Sequence, residues 1–317
     1  MNFQLKQPDM LAEARKYKQK PLWLECLQAI GVFLLMEVSI FVASLPLTLV
    51  GFFFSDFFRE YSALHGDQAL MNLLNNVNTV LSLFLQIFPI LVILLFCKRV
   101  QKRKAWTLGF KKRNALREYG IGMLTGLLIM TLVAGIGWAA GALQIRAAEN
   151  ALQIKNLGLL VLYFMGFLLQ GMCEEVYCRG YFIISLGRKH GNLWLAVGIS
   201  SLLFACLHLL NPGITLIAFL NLVLFGIFAG VYFLKRGDIW GIGALHSLWN
   251  FTQGNIWGVR VSGLQPGPSL FTAEATEGLE LLNGGAFGLE GGLITTAVLI
   301  LGTCILLKLP QKDVSEI

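Results

Sequence analysis

The sequence predicts an all-α fold, a polytopic transmembrane bundle of about eight helices, on three observations: composition, the length of the apolar runs and the placement of charge. Of 317 residues, 56% are hydrophobic and 14% charged, too few polar side chains to coat a soluble globule of this length. Apolar runs able to cross roughly 30 Å of hydrocarbon fall at residues 22–54, 77–97, 119–143, 158–186, 193–210, 214–234, 239–249 and 289–307. The seventh is short and begins among glycines, yet it is needed to close the alternation. If every run crosses, all of the 25 Lys and Arg except Arg59, Arg146, Lys155 and Arg260 fall on one face, which the positive-inside rule assigns to the cytoplasm, with both termini there.

The runs then divide the chain into a cytoplasmic segment 1–21, a single transmembrane domain 22–308 and a cytoplasmic tail 309–317. In the first segment Met10, Leu11 and Ala14 lie among lysines, the pattern of a short amphipathic helix on the leaflet or of a solvated tail. The first run is too long for a signal peptide, and no small-residue cleavage site follows it. The stretch 251–287 reads as an outer loop without period, and no internal repeat or soluble domain is visible. Net charge is +7, but the bases flank apolar runs, so the expected partner is membrane lipid and not nucleic acid. The six cysteines lie in or beside apolar runs without disulfide spacing and are expected to be free. Pairs at Gly122/Gly126, Gly137/Gly141 and Gly226/Gly230 have the spacing of close helix contacts and are read as packing.

Ionisable residues inside a membrane cost about 2.5–3.5 kcal/mol each on insertion scales, and here they are grouped. The fourth run carries Glu174 and Glu175 with Arg179 four residues on, a spacing that pairs Glu175 with Arg179 and turns Glu174 about 100° away toward a separate environment. The fifth carries Phe204 and His208, the seventh His246 and Asn250, each again four apart. Carboxylate, imidazoles and carboxamide together supply a base for water and donors for an oxyanion. Two His and one Glu are equally a catalytic zinc set. Phe204 reads as core packing, Glu25 as a residue reaching the interface, and Glu37, midway along the first run, has no assigned role.

In order and helix placement, Glu174-Glu175-x-x-x-Arg179, Phe204-x-x-x-His208 and His246-x-x-x-Asn250 resemble the three motifs of the CAAX protease and bacteriocin-processing (CPBP, or Abi) family of intramembrane proteases, with no departure at the motif positions. The resemblance implies a peptidase, a glutamate or metallo-endopeptidase acting on membrane-associated protein or peptide substrates, its site buried between helices 4, 5 and 7. It implies that Glu174 and His208 activate the attacking water, that His246 and Asn250 stabilise the oxyanion, and that Glu175 and Arg179 hold the site. A divalent metal such as zinc would take Glu174, His208 and His246. The metal-free reading is favoured, because Asn250 four residues after His246 suits a donor pair better than a ligand pair. The family's range, from CAAX proteins to bacteriocin maturation and immunity, leaves the substrate and the oligomeric state open, and a bacterial cytoplasmic membrane is the expected location.

Other hydrolase patterns are absent: no His precedes a Glu, Gly198-Ile199-Ser200-Ser201 lacks the closing glycine of a serine motif, and Gly237-Asp238 lacks the first glycine of GxGD. A proton-coupled transporter would also use buried Glu and His, but would show repeat symmetry or paired broken helices. A non-catalytic membrane immunity or partner protein that keeps the fold is the other alternative. One geometric requirement stands out. Counted at 1.5 Å per residue from residues 186, 193 and 239, Glu174 lies about 18 Å deep, His208 about 22 Å and His246 about 10 Å, so the seventh helix must start deep or its partners must tilt.

Overall fold

A computed structural model describes residues 5, 7–65, 68–149, 151–264 and 267–311, without the side chains of 47, 50–65, 68, 69, 189 and 190. Lys6, Lys312 and the side chains of Arg59 and Lys189, all used in the charge count, lie outside the described residues, as does the rest of the tail beyond 311. The chain is a helical bundle: α1 (Asp9–Ala14), α2 (Leu22–His65), α3 (Gln68–Leu85), α4 (Ile87–Arg99), α5 (Ala115–Ala139), α6 (Ile154–Glu175), α7 (Ile184–His190), α8 (Leu193–Cys206), α9 (Leu216–Arg236), α10 (Trp240–Phe251), α11 (Glu280–Asn283) and α12 (Leu293–Lys308). Five stretches among the described residues are long and apolar enough to cross a membrane: Leu22–Pro46, Leu70–Arg99, Ala115–Ala139, Ile154–Arg188 and Leu216–Arg236. Leu193–Cys206 and Leu293–Lys308 are shorter apolar helices. The protein is a polytopic integral membrane protein.

Several expectations are corrected. The second run is two helices, α3 and α4, meeting at Gln86. The third helix stops at Ala139, and residues 143–147 form strand β1 (Leu143–Ala147), which pairs antiparallel with β2 (Phe271–Ala275) from the outer loop, Ile145 opposite Ala273. Two non-local strands in short, half-exposed segments leave little periodic signal, so neither was readable from the sequence. The fifth helix ends at Cys206, four residues early, ahead of the helix-stopping Asn211-Pro212-Gly213. The apolar face of α1 lies on protein: Met10, Leu11 and Ala14 are fully buried, and Lys111 Nζ meets Asp9 Oδ1 at 2.7 Å. Glu25 does not reach an interface; it is buried and pairs with Arg188 at 2.7 Å. Arg179, counted with the cytoplasmic bases, is fully buried.

The centre of the fold is α10, buried throughout from Gly241 to Asn250. Its polar residues are held inside because two neighbours let its backbone approach. A Cβ on Gly122 of α5 would stand 2.0 Å from the Gly241 carbonyl oxygen, and one on Gly126 2.2 Å from that of Leu245. The spacing read as packing is therefore an intramolecular α5–α10 seam. At the start of α10, Gly109 adopts φ +94° and a Cβ there would lie 2.8 Å from the Ile239 nitrogen; that nitrogen donates to the Gly109 carbonyl at 3.0 Å. The loop after α4 thus covers the beginning of α10, and Asp238 and Ile239 are already buried there. α10 is therefore enclosed by protein from its first turn.

Candidate active site

Glu174 and Glu175 end α6, and the chain continues as a π-helical stretch, Val176–Ile183, before α7. Such wide turns are uncommon and recur at functional sites. Here the stretch is wholly buried, and it still carries Arg179 back to Glu175. Arg179 Nη1 donates to Glu175 Oε1 at 2.9 Å, with both side chains fully buried. The guanidinium also lies 4.8 Å from the centre of the Phe204 ring, a cation–π contact. Phe204 is more than core packing: its ring stands 4.7 Å from His208 and 5.9 Å from His246, centre to centre.

Glu175 has a second partner that the sequence did not announce. His246 Nδ1 is 2.8 Å from Glu175 Oε1, and a carboxylate shared with Arg179 is an acceptor, so the ring proton sits on Nδ1. Nε2 of the same ring lies 3.8 Å from Glu174 Oε2. The adjacent carboxylates therefore flank one imidazole, one on each nitrogen. Glu174 does face a separate environment. Its Oε1 accepts from Gln170 Nε2 at 2.5 Å, and its Oε2 is buried with no hydrogen-bond partner.

His208 lies two residues past the end of α8, in the turn that follows it. Its Nδ1 stands 2.8 Å from the Phe204 carbonyl oxygen, an acceptor only, so Nδ1 carries the proton and Nε2 is left for the cavity. Asn250 donates through Nδ2 to Gln170 Oε1 at 2.8 Å, while its Oδ1 is buried without a partner. Glu174, His208, His246 and Asn250 line one cavity of about 460 Å³. Every motif residue is thus brought to one place, with Glu175 and Arg179 forming the layer behind.

Further polar residues belong to the same neighbourhood. Glu290, at the head of α12, accepts from Trp249 Nε1 at 3.0 Å and from the Ser262 nitrogen and hydroxyl at 2.8 and 2.7 Å. Asn211 Nδ2 donates to the Ser262 carbonyl at 3.0 Å, so the turn bearing His208 is tied through Ser262 and Glu290 to α10. Asn221 Nδ2 donates to the carbonyls of Glu290 and Gly292 at 2.7 and 2.9 Å. The available signal for Glu290 and Asn221 was their position in or beside apolar runs, which marks an ionisable or amide group as paired. Glu37 also lines the cavity.

The alternative donor set, Glu174, His208 and His246 around a divalent metal such as zinc, does not fit as placed. Among the described residues no three His, Cys, Asp or Glu stand close enough to hold an ion.

Fold and site together define a polytopic helical membrane protein with a carboxylate, two imidazoles and an amide gathered at an internal cavity. Residues 156–252, from the first turns of α6 to just beyond α10, match the family model described as type II CAAX prenyl endopeptidase Rce1-like. The match encloses all seven motif residues, and the resemblance drawn from them is shown over that segment. No curated protein and no solved structure matches the chain.

Proposed function

We propose that this protein is an intramembrane endopeptidase that hydrolyses a peptide bond in membrane-associated protein or peptide substrates, of the CAAX-tail or leader-processing class. The observation that carries the reading is the Glu174 carboxylate, whose Oε2 lies buried and unpartnered on a cavity shared with both imidazoles. Such an oxygen is a base waiting for a proton. Glu174 takes a proton from water, with His208 Nε2 as a second acceptor for the same water, and the water oxygen attacks the scissile carbonyl. The negative oxygen that forms is met by the remaining N–H of Asn250 and by His246 Nε2–H when that ring carries both protons. Glu175, neutralised by Arg179, holds His246 in the orientation that makes this geometry. Collapse of the tetrahedral species sends the Glu174 proton to the departing amine, so water and one amide bond become an acid and an amine.

The membrane reading extends the same way. The eight apolar runs cross, α8, α10 and α12 as short spans, with both termini at the cytoplasmic face of a bacterial membrane; the basic bias of the helix ends supports this. Labelling of His65→Cys and Ala105→Cys in whole cells by an impermeant thiol reagent should succeed only at 65, and labelling at 105 would reverse the orientation.

The catalytic reading is tested with purified protein in detergent, given peptides that carry a prenylated CAAX tail or a leader junction. Wild type should cleave one of them, while Glu174→Ala and His208→Ala fall by about 10²–10⁴-fold. Equal rates in all three would remove the assignment. A chelator should leave the wild-type rate unchanged; its abolition, with restoration by zinc, would replace the base mechanism by a metal one.

A further inference from the structure

Gln170 belongs to none of the three motifs, yet its amide joins two of them. One turn before Glu174 on α6, it donates from Nε2 to Glu174 Oε1 at 2.5 Å and accepts at Oε1 from Asn250 Nδ2 of α10 at 2.8 Å. The two ends of an amide are near in shape, and only partners decide which faces where. Glu174 as a carboxylate accepts only, so it draws the Gln170 NH2 toward itself and turns the Gln170 carbonyl to α10. That carbonyl also accepts only, so it fixes the NH2 end of Asn250 toward it. The direction of the whole chain is therefore set by the charge on Glu174.

Two consequences bear on the chemistry. Asn250 is held as a donor, with its second N–H kept for a ligand and its Oδ1 buried without a partner. Glu174 Oε1 is occupied, so a proton taken from water goes to Oε2. A carboxyl protonated at Oε2 still accepts at Oε1, so the chain survives proton transfer without an amide flip, and the donors need not reorganise during reaction.

We infer that Gln170 is a positioning residue for hydrolysis, orienting Glu174 as the base and locking Asn250 in its donor orientation. This rests on the endopeptidase reading above. A purely structural role, one interhelical hydrogen bond between α6 and α10, would cost stability and leave the turnover of folded protein unchanged.

The test is Gln170→Leu, similar in volume and without the amide, measured in the peptide-cleavage assay beside its unfolding temperature. The expected result is a kcat lower by about 30- to 100-fold with KM within about twofold, at an unfolding temperature close to wild type. In an Asn250→Ala background the same change should cost less than about tenfold, because one of the groups it positions has gone. If Gln170→Leu does not fold, Gln170→Glu carries the test: it keeps length and volume but sets a second carboxylate against Glu174, and kcat should fall likewise. Wild-type turnover with kcat of the Gln170 variants within about threefold of it, or with effects fully additive to Asn250→Ala, overturns the inference alone. A wild-type protein that cleaves no peptide overturns the endopeptidase reading; an experimental map of that inactive protein showing the Gln170 bridge then reduces it to helix packing and overturns the inference as well.

Discussion

Two parts of the bundle bury charge, and they treat it in opposite ways. At the end where α2, α5 and α10 begin and α4, α7 and α9 finish, three acids meet bases from other elements: the buried Glu25 with Arg188 at 2.7 Å, the half-buried Asp9 with the buried Lys111 at 2.7 Å, and the buried Glu118 with Arg236. Arg103, buried beside them, gives Nη1 to Ser185 and Gln101 at 3.1 and 2.9 Å. These pairs tie helices together. The cavity is lined by Glu37, Glu174 and Glu290 with no Lys or Arg, and Glu174 accepts its hydrogen bond from an amide, with the His246 imidazole 3.8 Å from its other oxygen. Charge that is matched within the protein serves the fold; charge left open on a cavity waits for something that arrives.

That contrast can be broken in graded ways. The largest effect expected is on turnover: Glu174→Ala should lower kcat/KM by about 10³-fold, about 4 kcal/mol, while its unfolding temperature stays near wild type. Next, Arg188→Ala leaves Glu25 buried without its partner and should cost about 3–5 kcal/mol, read as a large fall in unfolding temperature and in yield of monodisperse protein. Gly126→Val forces a side chain against the Leu245 carbonyl and should cost about 1–3 kcal/mol or more, with α10 displaced and cleavage lost in proportion. The smallest belongs to a pair outside both regions: Arg146 and Glu274 join β1 to β2 with both side chains more than half exposed, and Arg146→Ala should change stability by less than about 1 kcal/mol. An Arg188→Ala protein as stable as wild type would erase the distinction between the two regions.

Much of this was legible in the sequence. Each apolar run is helical, because lipid leaves the backbone no partner but itself, and the seven motif residues each stand in or beside a run, with Glu175–Arg179, Phe204–His208 and His246–Asn250 set four apart. What escaped has physical reasons. The β1–β2 pair joins residues more than a hundred apart. The end of α8 was signalled by Asn211-Pro212-Gly213, but the apolar Leu209 and Leu210 masked it. The π-helical stretch after Glu175 has no compositional mark. Gln170 was readable in principle: the spacing that pairs Glu175 with Arg179 places Gln170 beside Glu174. Its reach to Asn250 depends on how close α6 and α10 lie, and that is set by Gly171, whose Cβ would stand 2.5 Å from the Ser247 nitrogen.

Glu174 and Glu175 are neighbours in sequence and flank the same imidazole, one open to the cavity and one closed with Arg179. Unfolding temperature and peptide cleavage measured together on Glu174→Ala and Glu175→Ala separate the two roles. The expected outcome is a Glu174→Ala protein that folds like wild type and does not cleave, and a Glu175→Ala protein that loses stability by about 3–5 kcal/mol. A Glu174→Ala protein that cleaves at the wild-type rate would contradict the account at its centre.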